Sequence, residues 1–272
     1  MLQIAVVQLR ATMDVAANLN TAEGFIREAA DAGCQVIALP ENCAFLRTDP
    51  GAPAPVEPLD GAIVTRFRRI AESCGVWLLV GSFPETGPAD GRYHNTSVVI
   101  DGTRPTAPIT AVYRKLHLFD IDIAGGESQR ESDYIAAGDR LVVTDVADVP
   151  VGLSICYDLR FPTMYQKLTA MGARILTVPA AFTEFTGKDH WLALLRARAI
   201  ENQAYVVAAN QWGAHGGKRR SFGKSVIYDP WGTPLCVAPD RPGWVSARID
   251  LSYQDQVRAS LPCLQHKNPA AQ

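Results

Sequence analysis

The chain has 272 residues, of which 47% are hydrophobic and 20% are charged, a composition typical of a globular protein and not of a disordered or fibrous one. Its formal net charge of −2 offers no basic surface for nucleic acid, and no run of about 18 apolar residues is present to cross a membrane. These properties favour a small-molecule partner.

The N-terminus and the cysteines indicate the cellular compartment. The first segment, MLQIAVVQLRATMD, alternates like a strand and lacks the basic start and the apolar centre of a signal peptide. The six cysteines form no CxxC pairs, so neither zinc nor disulfides are indicated. We expect one globular domain over residues 1–272, with a C-terminal arm from about 262, in a reducing cytoplasm.

The first half of the chain alternates strands with helices. Patterning and turn residues predict strands over Leu2 to Leu9, QVIAL, Val76 to Phe83, NTSVVI and ITAVYRKLHLF, and helices over Ala17 to Ala32 and Ile63 to Cys74. The last two strands are separated by Asp101-Gly102, which predicts an antiparallel pair. Glu41 comes after QVIAL and Pro40, just past the end of that strand, and Lys115 lies near the end of the last strand. Asp120 to Asp139, which carries Glu127 and Glu131, is predicted to be a long loop that covers or lines a binding site.

A thiol stands at the next corner. Val151 to Ile155 reads as a short buried strand and Thr163 to Met171 as a helix, with Cys156 between them. A sharp strand-to-helix turn can expose a nucleophile and aim the following backbone N–H groups at its target. Taken alone, a free cysteine is more often a small buried apolar residue.

The second half predicts a mixed sheet. Its elements are the strand RILTVPAAF, a helix over Lys188 to Asn202, the strand AYVVAAN, a basic loop GAHGGKRRSFGK, a hairpin of SVIY and TPLCVA around DPWG, a strand over Gly243 to Ile249, and a final short helix capped by Ser252. Antiparallel pairs among alternating strands and helices favour a layered α/β fold over an eight-stranded barrel.

Glu41, Lys115 and Cys156 each lie at or near the end of an apolar strand, and such ends converge at one edge of an α/β sheet. A thiol needs a nearby base or positive charge to react at neutral pH. Glu41 can act as the base, and the Lys115 ammonium with a backbone N–H near Tyr157 can hold an oxyanion. This set predicts hydrolysis of an amide through a thioester.

Three other interpretations remain open. His117, close to Lys115, could serve in a cysteine–histidine hydrolase. Cys156 could be a redox centre with Cys43 as its resolving partner. The fold could also be that of a binding protein without catalysis.

Three motifs carry a family resemblance. LPEN around Glu41, YRKLHLFD around Lys115 and ICYDLRFP around Cys156, in this order, resemble the nitrilase superfamily of carbon–nitrogen hydrolases, and the similarity extends over nearly the whole chain. The resemblance implies a four-layer αββα sandwich with two mixed sheets, a homodimer or higher homo-oligomer, and a Glu-Lys-Cys triad without metal or organic cofactor. It also implies that Glu131, and not Glu127, positions the lysine.

Within the superfamily, HLFDIDI and CYDLRFP resemble the branch that contains omega-amidase and deaminated glutathione amidase. The short basic loop favours the second, so the expected substrate is deaminated glutathione; the alternatives are 2-oxoglutaramate, or a nitrile or carbamoyl compound. Arg219, Arg220 and Arg160 are candidate partners for substrate carboxylates, since arginine binds carboxylates bidentately. Lys224 departs from the pattern, because relatives often have a histidine there.

Overall fold

The protein is described here from a computed structural model, which covers residues 1–49, 51–122, 128–268 and 270. Its architecture has four layers. Side chains of the first strand alternate between two cores: Ala5 and Val7 pack with the first two helices, whereas Ile4 and Val6 face the second sheet. This two-residue period is the geometric property of a strand, and it places one sheet between a helical layer and the other sheet.

The helices and strands alternate along most of the described chain. The helices are α1 (Val15–Asp31), α2 (Ala62–Cys74), α3 (Pro162–Ala170), α4 (Glu184–Asn202) and α5 (Leu251–Ser260). The strands are β1 (Leu2–Gln8), β2 (Val36–Ala38), β3 (Trp77–Glu85), β4 (His94–Asp101), β5 (Ile109–Arg114), β6 (Asp120–Asp122), β7 (Ser128–Arg130), β8 (Val143–Val146), β9 (Val149–Leu153), β10 (Ile175–Thr177), β11 (Tyr205–Ala208), β12 (Trp212–Gly216), β13 (Arg219–Phe222), β14 (Val226–Tyr228), β15 (Pro234–Val237) and β16 (Gly243–Ile249).

Two six-stranded sheets form the middle layers. The first has the order β16-β1-β2-β3-β4-β5 and the second β15-β14-β11-β10-β9-β8. In the first sheet β1, β2 and β3 run parallel and the flanking pairs are antiparallel. In the second sheet β9, β10 and β11 run parallel and the flanking pairs are antiparallel. The predicted αββα sandwich of two mixed sheets is therefore confirmed.

Several local predictions need correction. The predicted loop Asp120 to Asp139 contains a two-stranded hairpin, β6 with β7, and a 3-10 turn over Glu131–Asp133. The basic loop is also a hairpin, β12 with β13. Strand β8 was not predicted. The final helix is capped by the Asp250 carboxylate, which accepts the backbone N–H groups of Ser252 and Tyr253, so Ser252 is not the cap.

The residues after α5 lie where a C-terminal arm is expected. The helix ends at Ser260, and residues 261–268 form turns without a helix or strand.

Among the residues that the structure describes, no helix combines the length and the apolar character that spanning a bilayer requires.

Candidate active site

The carboxyl ends of strands from both sheets meet at one cavity. Glu41 follows β2, Lys115 follows β5 and Cys156 follows β9, and all three line one cavity together with Glu131. The first sheet supplies the carboxylate and the ammonium, and the second supplies the thiol. The face-to-face packing of the two sheets thus assembles the set of residues that strand ends predicted separately.

Cys156 lies in a strained turn. Its backbone φ is +50°, a left-handed conformation that non-glycine residues rarely adopt and that occurs at strained functional positions. Its N–H donates to the Pro179 carbonyl (2.9 Å), and a 3-10 helix over Cys156–Arg160 follows directly. Pro162, at the start of α3, suits this position because the first helical turn needs no N–H donor there. The turn therefore points the thiol into the cavity.

Lys115 joins two carboxylates. Its Nζ donates to Glu41 Oε1 (3.0 Å) and to both oxygens of Glu131 (2.9 and 2.8 Å), and its side chain is 1% exposed. Burial by itself lowers the pKa of Lys115, but the charges of Glu131 and Glu41 outweigh it and hold that pKa well above its ordinary value. A permanent positive charge therefore lies beside the thiol.

The pKa values of Glu41 and Cys156 are shifted in opposite directions. Burial raises the pKa of Glu41, but the Lys115 charge and hydrogen bonds from Cys156, Lys115 and the Ala181 N–H (2.8 Å) lower it below its ordinary value. Burial and the neighbouring Glu41 charge raise the pKa of Cys156 well above its ordinary value, although Lys115 opposes them. These directions favour a neutral Cys156 thiol and an ionised Glu41 carboxylate in the resting site.

The β6–β7 hairpin, which the sequence did not predict, positions Glu131. The 3-10 turn begins at Glu131 directly after β7, and the Phe119 N–H donates to its Oε2 (2.7 Å). This bond and Lys115 fix both oxygens of the carboxylate. Glu127, the other acidic residue considered in this segment, lies outside the described residues.

The segment after β10 ties the thiol to the carboxylate. Its Pro179 carbonyl accepts the Cys156 N–H, and its Ala181 N–H donates to Glu41 Oε2. The N–H of Tyr157, in the first turn of a 3-10 helix, has no acceptor within that helix and lies next to the thiol in sequence. The arrangement can supply a nucleophile, a base and hydrogen-bond donors for an oxyanion.

Comparison with known proteins agrees with this geometry. The carbon-nitrogen hydrolase family model matches residues 3–259. The chain belongs to the carbon-nitrogen hydrolase family. It is accordingly a hydrolase that acts on carbon–nitrogen bonds, and the resemblance of its three motifs is confirmed.

Similarity to individual proteins supports the same family assignment. Bovine deaminated glutathione amidase is 41% identical over 98% of this chain and 82% of its own length. The crystal structure of the Caenorhabditis elegans NitFhit protein superposes with a TM-score of 0.91 and 36% identity over 99% of this chain and 66% of that one. Saccharomyces cerevisiae Nit3, a member of branch 10 of the nitrilase superfamily, gives a TM-score of 0.83 with 26% identity over 96% and 94% of the two chains.

The three candidate arginines of this hydrolase have different positions. Arg160 and Arg219 line the cavity, where the Arg160 guanidinium lies 5.2 Å from the centre of the Phe182 ring and Arg219 donates to the Arg47 carbonyl (2.7 Å). Arg220 instead pairs with Glu184 and is half exposed. Neighbouring residues of a strand point to opposite faces, so β13 directs only one of its two arginines to the hydrolase site.

Two buried polar residues near the site were missed by sequence reasoning. Asn95 donates to Glu41 Oε1 (2.9 Å), and Asp158, two residues after the thiol, accepts hydrogen bonds from the Tyr113 hydroxyl of the first sheet and from the Ile155 N–H beside the thiol. Asp158 lies inside the ICYDLRFP motif, so its position in the motif was an available signal. Asn95 lies in an ordinary apolar strand, where the sequence gives no such signal.

The alternative partners of the thiol are engaged elsewhere. His117 Nδ1 hydrogen-bonds Asp158 (2.7 Å), and the Cys43 thiol donates to the Ser82 carbonyl (3.4 Å). Burial raises the pKa of Cys43 to about 12, which opposes formation of a reactive thiolate. Lys224, the departure from the family pattern, adopts a φ of +58° and pairs with Asp240 (2.8 Å), away from the hydrolase site.

Proposed function

We propose that this carbon–nitrogen hydrolase is an amidase that cleaves the amide bond of a small 2-oxo acid amide, deaminated glutathione, with Cys156 as nucleophile, Glu41 as general base and Lys115 as electrostatic stabiliser. One observation carries the proposal: the Cys156 thiol lines the same cavity as the buried Glu41 carboxylate, whose Oε1 contacts the buried Lys115 ammonium (3.0 Å). A structural cysteine needs neither partner.

The first half-reaction forms a thioester. The Cys156 sulfur attacks the amide carbonyl carbon while Glu41 takes the thiol proton, and the carbonyl oxygen becomes an oxyanion. Lys115 has three N–H groups: one donates to Glu41, one is shared by the two oxygens of Glu131, and the third is then available to this oxygen, with the Tyr157 N–H as second donor. One such donor contributes about 10² to 10³ in rate. Glu41 then passes its proton to the departing amine nitrogen as the carbon–nitrogen bond breaks.

The second half-reaction uses the same carboxylate. Glu41, ionised again, removes a proton from water, and the resulting hydroxide attacks the thioester carbon. The carbon–sulfur bond breaks and the proton on Glu41 returns to sulfur, so the acid product leaves a neutral thiol behind. Glu131 remains paired with Lys115 throughout, which keeps the ammonium charged in a site that burial would otherwise neutralise.

The substrate assignment depends on charge at the cavity. Deaminated glutathione joins a 2-oxoglutaramate-like head through its amide to Cys-Gly, so it carries a carboxylate at each end. Arg160 and Arg219 both line the cavity and offer the planar donors that bind carboxylates. Several relatives that share about 40% of the sequence are named deaminated glutathione amidase, which supports the same choice.

The test compares substrates and two neighbouring arginines. Purified protein is assayed on deaminated glutathione by release of Cys-Gly, and on 2-oxoglutaramate, simple amides and nitriles by release of ammonia. We expect the highest kcat/KM on deaminated glutathione, and in Arg219→Ala a loss that is larger for this substrate than for 2-oxoglutaramate. Arg220→Ala is the matched control and should keep the substrate preference.

Each other outcome has a defined meaning. A higher kcat/KM on 2-oxoglutaramate would assign the protein as an omega-amidase, and turnover of nitriles alone would reject the amide assignment. Peroxide consumption without amide hydrolysis would favour the redox interpretation.

We also propose a cytoplasmic homodimer. Ile200 of α4, Trp231 of the DPWG turn and Leu261 after α5 are 46%, 56% and 51% exposed, and the turn packs against Ile200 at Gly232. The exposed apolar side chains of α4 and the C-terminal segment are those expected to join two copies, because a two-fold interface uses the same patch on both subunits.

A further inference from the structure

Asn95 contacts both Glu41 and the backbone of Lys115. Its side-chain amide donates to Glu41 Oε1 (2.9 Å), and its backbone carbonyl accepts the backbone N–H of Lys115 (3.0 Å). The residue is 2% exposed and lies at the start of β4. One residue of the first sheet therefore sets the position of Glu41 relative to Lys115.

The orientation of this amide depends on the charge of Glu41. Asn95 Oδ1 is buried and has no hydrogen-bond partner in the part of the chain that the structure describes, an unfavourable and uncommon arrangement. An asparagine amide has one donating and one accepting end. Because an ionised carboxylate only accepts, turning the amide over would place two acceptors against each other. The observed orientation is the one that an ionised Glu41 requires.

We propose that Asn95 is a positioning residue for the reaction, which holds Glu41 ionised and aligned between Lys115 and Cys156. The inference rests on the proposed role of Glu41 as base. A hydrogen bond to an ionised acceptor is stronger than one to a neutral acceptor, so the amide favours the form of Glu41 that can accept the thiol proton. Once Glu41 is protonated the bond weakens, which favours onward transfer of the proton to the leaving amine.

Among the described residues, three charged or titratable groups lie around Glu41. Lys115 contacts Oε1, the Cys156 thiol lines the same cavity, and Glu131 lies beyond Lys115. The neutral Ala181 N–H also contacts the carboxylate. Removing the Asn95 amide therefore leaves these charges in place, and its effect on the protonation of Glu41 can be measured separately.

The test is the pH dependence of Cys156 alkylation by iodoacetamide, followed at that cysteine by peptide mass spectrometry. In Asn95→Ala we expect the midpoint of the acid limb of the profile of alkylation rate against pH to move up by about one pH unit. In Asn95→Asp a second carboxylate next to Glu41 should move it further. Ser97→Ala is the matched control, since Ser97 lies on the same face of β4 and its hydroxyl bonds the Val80 carbonyl (2.8 Å); its profile should match wild type.

A purely structural role predicts something else. An unchanged midpoint in both Asn95 variants, or a rate reduced by the same factor at every pH, would overturn the inference. Thermal melts identify a variant that does not fold; if Asn95→Ala is unfolded, Asn95→Asp, which keeps the side-chain volume, decides. Glu41→Gln is measured in parallel. If Cys156 is alkylated in this variant as in wild type, Glu41 is not the base. If the acid limb of the profile depends on Glu41 but not on Asn95, only the present inference is rejected.

Discussion

Asp158 connects the turn that holds Cys156 to strand β5, which precedes Lys115. The loss of stability on replacing it can be worked out from its hydrogen bonds. Its carboxylate is fully buried and accepts four hydrogen bonds. Oδ2 accepts the Tyr113 hydroxyl (2.6 Å) and the Ile155 N–H (2.8 Å). Oδ1 accepts the N–H of His117 (3.0 Å) and lies 2.7 Å from the Nδ1 of the same residue.

The two substitutions should differ in severity. Asp158→Ala leaves the Tyr113 hydroxyl and the backbone N–H groups of Ile155 and His117 without an acceptor, and each such loss costs about 1–3 kcal/mol, so the free energy of unfolding should fall by about 3–9 kcal/mol. Asp158→Asn can keep its oxygen toward the donors of Tyr113 and Ile155, and the His117 ring can change tautomer to accept from the amide. Only the His117 N–H then lacks a partner, which predicts a loss of about 1–3 kcal/mol.

The measurement is urea unfolding combined with amide turnover. Asp139→Asn is the control, because the Asp139 carboxylate is 80% exposed. This substitution should change the free energy of unfolding by less than about 0.5 kcal/mol. The kcat of Asp158→Asn should also fall by about 10²-fold, since a displaced nucleophile has an effect of that order. Unfolding free energies of both Asp158 variants within about 0.5 kcal/mol of wild type would refute the argument.

The other predictions concern the remaining roles at the site and the assembly. Cys156→Ala should fold and retain less than about 1% of wild-type turnover, whereas Cys43→Ala should stay active; higher residual activity would mean that Cys156 is not the nucleophile. Glu131→Gln should reduce kcat less than Glu41→Gln, since Glu131 acts through the lysine, and an equal loss in both would indicate that the two carboxylates share the proton transfer. Light scattering at micromolar concentration should show a dimer, and Trp231→Glu should shift it toward monomer; a wild-type monomer would contradict the proposed interface.

The sequence by itself determined the positions of the chemistry along the chain. Apolar strands ending in Pro40-Glu41 and in Ile155-Cys156, with Lys115 after a third strand, indicate a shared sheet edge because carboxyl ends of strands converge. The antiparallel pairs around Asp101-Gly102 and DPWG were likewise predicted, since turn residues act locally. The helices agree with prediction except at their ends.

Only the tertiary structure decided what surrounds those residues. Strand β8 and the hairpins β6–β7 and β12–β13 were not recognised, because short polar strands are defined by their partners and carry a weak pattern of their own. The choice between Arg219 and Arg220 needs the register of β13, which determines the face on which each lies. Asn95 and Asp158 gain their importance from hydrogen bonds to residues 54 and 41 positions away. Such contacts are set by the packing of the two sheets, which no local pattern in the sequence records.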